Sequence, residues 1–91
     1  MNRVVSKQLK ILNQAGLHLR PAMLLSQTMA QFPAEATVHY HGKQLDAKSI
    51  LSLMTGGIPG GAEVLLTCSG EEETAMLSAA EALIADRFGE M

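Results

Sequence analysis

The residues best suited to chemistry stand in one run, Gly16-Leu17-His18-Leu19-Arg20-Pro21-Ala22. An imidazole and a guanidinium lie two positions apart, and a proline follows that fits a first helical turn, where the N–H it lacks has no intrahelical partner. The free amides of such a turn, with the positive end of the helix dipole, form a site for an anion. The imidazole and guanidinium beside them point to a phosphoryl group. A neutral imidazole is a competent nucleophile near pH 7, and phosphoryl transfer asks mainly for positioning and stabilisation of the equatorial oxygens. The Leu19 and Arg20 amides and the Arg20 guanidinium would supply that without a metal or cofactor.

The surrounding pattern provides a frame for this run. From Arg3 to Leu12 apolar and polar residues alternate, with Val5, Leu9 and Ile11 on one side and Lys7 as the misfit there; this predicts a half-buried strand. After the Asn13–Gly16 turn, Ala22, Leu25, Met29 and Phe32 repeat at helical spacing and Pro33 ends the run. Ala34 to Tyr40 alternates, His41-Gly42-Lys43 reads as a tight turn, and Gln44 to Asp46 as a short return strand. Ile50, Leu53 and Met54 fit a short helix with Ser49 as its N-cap and Gly56-Gly57 as its stop. Pro59-Gly60-Gly61 is loop, and Glu63 to Ser69 alternates with Val64, Leu66 and Cys68 inward. Glu71, Glu72 and Glu73 open a last helix with Met76, Ala79, Ala80, Leu83 and Ile84 as its stripe and Arg87 near its end. The order β-α-β-β-α-β-α predicts a two-layer α+β sandwich: four strands, mostly antiparallel, with three helices on one face.

Composition narrows the function classes. At 91 residues the chain is expected to be a single domain spanning 1–91. A formal charge of −2, no Trp and only Tyr40, Phe32 and Phe88 as aromatics speak against nucleic-acid binding. Cys68 stands alone, so neither a disulfide framework nor a cysteine-rich metal site is available. No apolar run approaches about 18 residues, and no signal peptide is recognisable, so a soluble cytoplasmic protein without membrane insertion is expected. His39 and His41, at i and i+2 on one strand face, invite a metal reading, but no acidic or cysteine partner lies at ligand spacing; a solvated hairpin is the simpler explanation and no metal is expected.

Two motifs carry a family resemblance. Gly16-Leu17-His18-x-Arg20-Pro21-Ala22, and Lys48-Ser49-Ile50 followed by Leu53-Met54-x-x-Gly57-Ile58, together resemble the histidine-containing phosphocarrier family, HPr, of the bacterial phosphoenolpyruvate-dependent sugar phosphotransferase system. The resemblance covers essentially the whole chain and implies an open-faced HPr-like sandwich. It implies that His18 accepts a phosphoryl group from Enzyme I and passes it to sugar-specific A components, that Arg20 stabilises the phosphate, and that Ser49 is a regulatory phosphorylation site. A relay protein is implied, not an enzyme with its own substrate pocket. An HPr kinase/phosphorylase and a transcriptional regulator are further partners it suggests. Leu19 departs from the short residues more usual at that position, which bears on partner choice.

Leu19 and Met23, one turn apart and off the core stripe, with Leu51 and Met54 from the next helix, make a candidate docking patch. The alternative is that Leu19 and Met23 cover core edges. Ser49 reads equally as a plain cap. A paralogous carrier of a nitrogen-related branch, or a regulatory binding module that works through Ser49, would carry the same residues.

Overall fold

The computed structural model describes residues 4–90; Arg3, which the alternation assigns to the first strand, lies outside them. The elements run β1 (Val4–Lys10), α1 (Leu19–Met29), β2 (Glu35–Tyr40), β3 (Lys43–Asp46), α2 (Ile50–Thr55), β4 (Glu63–Ser69) and α3 (Glu73–Ala85), followed by a 3₁₀ turn at Arg87–Gly89. The strands form one sheet in the order β1-β4-β2-β3, and all three pairings are antiparallel. The expected α+β open-faced sandwich is therefore the observed one.

Register explains why alternation was so informative. Val5 pairs with Cys68, which pairs with Ala36; Lys7 pairs with Leu66, then Val38, then Leu45. These rows put one side of every strand under the helices, where Val64, Leu66, Cys68, Ala36, Val38 and Leu45 are all buried. Each fully buried Leu or Val side chain contributes about 1.5–3 kcal/mol relative to exposure. Ser6, Gln8, Thr37, His39, Gln44 and Thr67 fall on the opposite, open face, with Leu65 as an exposed apolar residue among them. Lys7, the misfit, sits in a core row at the sheet edge, and its ammonium reaches Glu81 of α3 at 2.7 Å. The edge position leaves this side chain half open to solvent, so its charge is paired at the rim and not buried. Cys68 is buried, and that burial, with the negative charge of Glu73, pushes the thiol up to about 11, keeping it protonated at neutral pH.

Several boundaries differ from the sequence reading. The first helix ends at Met29, not at Pro33: the amides of Gln31 and Phe32 reach back only three residues, to Thr28 and Met29, in tightening turns. Phe32 precedes a proline, which disfavours helical geometry there, and its carbonyl instead accepts from Lys48 Nζ at 2.8 Å. Of the three glutamates, only Glu73 lies in the first turn of α3; Glu72 is its N-cap, with φ 63. Met54 is exposed and Ile50 half-buried, so Leu53 alone is the buried residue of the α2 stripe. His41 does not share a strand face with His39, because its φ of 48, with Gly42 at φ 79, turns the chain between paired Tyr40 and Lys43. Its ring stacks on Tyr40 at 3.9 Å. Among the described residues no group of three His, Cys, Asp or Glu could hold a metal ion, and no helix is long and apolar enough to cross a membrane.

Candidate functional site

Two loops pressed together aim His18. Gly61 N donates to Ile11 O at 2.7 Å, and Leu17 N donates to Ile58 O at 2.9 Å. Backbone approaches backbone so closely that a Cβ at Gly16 would lie 2.3 Å from Ile58 O, and Gly16 holds φ +74 besides. Only glycine meets both demands. Leu17 is then buried as an anchor, and the next residue, His18, emerges exposed at the N-cap of α1.

As N-cap, His18 has extended backbone, φ −79 and ψ −169, and its side chain caps no amide. Its carbonyl accepts the first helical bond from Ala22 N at 3.0 Å. The amides of Leu19 and Arg20 precede the first intrahelical donor, Ala22 N, and have no helical acceptor of their own, and Pro21 has none to offer. Arg20 is exposed and hydrogen-bonds to no other described residue. A shallow depression of about 310 Å³ beside the imidazole is lined by Ala15, Leu17, His18, Met54, Gly57, Ile58 and Pro59. A larger depression, about 610 Å³, lies at β3, lined by Glu35, Asp46, Lys48 and their neighbours, without His18.

Other candidate residues fall where their types suggest. Leu19, Met23, Leu51 and Met54 are exposed, at 52%, 37%, 75% and 43%. Ser49 caps α2, its Oγ accepting from Ser52 N at 3.1 Å, a bond of about 1 kcal/mol.

Two residues at the site carry no signal in the sequence reading. Asn13, read only as turn composition, is fully buried; its Nδ2 donates to Gly16 O at 2.7 Å and to Glu90 Oε1 at 3.1 Å. Glu90 also meets His18: both carboxylate oxygens stand 3.0 Å from Nε2. The chain reaches this point through three successive positive φ values, Arg87 at 55, Phe88 at 54 and Gly89 at 74. For each non-glycine that conformation costs about 1–2 kcal/mol, and the burial of the Phe88 ring offsets it. Phe88 lies four past Ile84 and continues the stripe in spacing, which is the one sequence hint that the tail folds back.

The hydrogen bond from His18 holds the Glu90 carboxyl below its ordinary 4.5, helped by the Asn13 bond and by the charges of His18 and Arg20, against the opposing effect of desolvation. A carboxyl lowered on folding contributes stability that is complete above its ordinary value and lost as pH falls through the lowered one. Acidification will therefore shift the Phe88 and Gly89 amide resonances with a midpoint below 4.5, and Glu90→Gln will abolish that step.

Fold and site together define a class: a small open-faced α+β module that presents one histidine at a helix start. The sequence model described as "PTS HPr component phosphorylation site" matches residues 5–86. The phosphocarrier protein HPr of Cupriavidus necator is 36% identical over 87 residues, 96% of this chain and 98% of that protein. Among solved structures, HPr-C-His from Thermoanaerobacter tengcongensis superposes with TM-score 0.92 at 36% identity, over 96% of this chain and 98% of that one. A phosphocarrier protein HPr from Bacillus anthracis gives 0.85 at 31%, over 89% and 96%. The chain belongs to the HPr family, the phosphocarriers of the phosphotransferase system.

Proposed function

We propose that His18 accepts a phosphoryl group from phosphorylated Enzyme I and passes it to a sugar-specific A component. One observation carries this reading: in a chain of the HPr family, the imidazole stands exposed at the start of α1, beside two amides that have no helical acceptor. Arg20, exposed and hydrogen-bonded to no other described residue, is the side chain available to meet the phosphoryl oxygens. An open site also suits a carrier, because the group must leave as readily as it arrives. Once phosphorylated, the chain will return to its unmodified mass when mixed with an A component it serves, and that component will gain the phosphate. Phosphate that stays on the chain with every A component of the host would refute the relay.

Leu19, Met23, Leu51 and Met54 form the docking surface of this reading. An apolar step beside the reacting group, with two flexible methionines, suits a surface that must fit a donor and several acceptors in turn. Replacing both Leu19 and Met23 with Glu will weaken Enzyme I binding by about a hundredfold, since central apolar contacts dominate such interfaces. Both positions are exposed, so the melting temperature will hardly change; calorimetric titration and thermal unfolding check the two halves.

Ser49 is the regulatory site of the same reading. Its Oγ already caps α2, and a phosphate there would keep favourable helix-terminus geometry. Leu51 and Met54 lie within the next five residues and are exposed, so the added dianion would stand on the helix that supplies half of the docking surface. Carrier traffic would fall while the fold persisted. An HPr kinase/phosphorylase from the same host, given ATP, will label the wild type but not Ser49→Ala; an unlabelled wild type would remove this role.

A further inference from the structure

We propose that Glu90 is a positioning residue for His18: its carboxylate holds a proton on Nε2, leaves the Nδ1 lone pair as the nucleophile, and faces the positive charge that the ring acquires on phosphorylation. This rests on the reading of His18 as phosphoryl acceptor.

The geometry settles the direction of the bond. An ionised carboxylate only accepts, so with both its oxygens 3.0 Å from Nε2 the ring must donate there. A neutral histidine that donates from Nε2 carries its lone pair on Nδ1. The transfer then balances simply. Nδ1 gives its pair to phosphorus, the bond from phosphorus to the donor breaks, and that pair stays with the donor. Nε2 keeps its proton throughout, so the phosphorylated ring bears a formal positive charge directly opposite Glu90. In the onward step the Nδ1–phosphorus bond breaks and its pair returns to the ring, which leaves as neutral imidazole. A carboxylate that keeps Nε2 protonated thus serves acceptance and release alike.

Two independent features show that the contact is built. Arg87 and Phe88 adopt positive φ without being glycine, and Phe88 is buried to hold the turn that delivers Glu90; local strain at such a point is a marker of function. Asn13 is fully buried with its Nδ2 shared between Gly16 O and Glu90 Oε1, while its Oδ1 has no partner among the described residues. The side chain gives up one acceptor to aim its donors at the loop and the carboxylate.

The full chain, ¹⁵N-labelled at histidine and unphosphorylated, will show a hydrogen-bonded Nε2–H correlation for His18 by NMR. Glu90→Ala will broaden it away, whereas Glu90→Gln, which retains an acceptor without charge, will keep it. Loss of a charge-assisted bond will slow phosphoryl uptake from phosphorylated Enzyme I by about tenfold in both variants. Wild-type rates in Glu90→Ala and Glu90→Gln, or no Nε2–H correlation in the wild type, would overturn the proposal while leaving the carrier reading intact. A wild type that takes up no phosphate at all would overturn both.

Discussion

His18→Ala, given phosphoenolpyruvate, Mg²⁺ and Enzyme I, will gain no mass, and its fold will be unchanged. His18 is exposed at the N-cap and its side chain caps no amide, so its removal takes nothing from α1 except the contact with Glu90. His39 is half-buried in β2 and His41 is stacked on Tyr40 in the hairpin turn; neither stands at a helix start, and neither will substitute. Arg20→Ala will behave differently. It leaves the nucleophile in place and removes only charge from the phosphoryl oxygens, so uptake will persist but slow by about a hundredfold, the scale on which a single stabilising donor acts in transfer chemistry. Intact-mass time courses of the two variants separate the roles: abolition for one, a reduced rate for the other. Equal rates in Arg20→Ala and wild type would assign the charge stabilisation to the backbone amides alone.

Phe88→Ala will be the most damaging single change to stability outside the sheet. The ring is 1% exposed, and truncating a buried Phe costs about 3–5 kcal/mol. In a chain of this size that corresponds to a drop in melting temperature of about 15 °C or more. The same ring holds Arg87 and Phe88 itself in their positive-φ turn, so Glu90 will lose its place against His18. The variant will therefore also lose the His18–Glu90 contact, which a purely packing role would not require. Leu51→Ala, at an apolar residue 75% exposed, is the control: its stability will stay within about 0.5 kcal/mol of wild type. Thermal unfolding of the pair decides whether the tail is part of the core.

The elements that sequence patterning located are those whose residues obey a local period. Val64, Leu66 and Cys68 alternate because β4 lies in the middle of the sheet with one face covered. Ser49 was legible as a cap because its partner is only three residues on. Gly16 was legible as turn composition, although the reason that only glycine fits, the Ile58 carbonyl against its Cα, is a tertiary contact. Lys7 broke the alternation because its partner, Glu81, lies 74 positions away. Glu90 was invisible for the same reason. It is separated from His18 by 72 positions, and residues 87–89 reach the site through backbone angles that Arg and Phe do not advertise. Asn13 looked like any turn residue, since only the fold reveals that its amide is buried between a loop carbonyl and the chain's own tail. The exposed helix-start position of His18 could be read directly; the distant residue that meets its ring could not.

The central claim is that His18 carries a phosphoryl group, and intact mass measures it most directly. The wild-type chain, incubated with phosphoenolpyruvate, Mg²⁺ and catalytic Enzyme I and analysed at mildly alkaline pH, will gain one phosphate, and brief acid treatment will remove it, as a phosphorus–nitrogen bond requires. An unchanged mass beside fully phosphorylated Enzyme I, or an added phosphate that survives acid, would contradict the account.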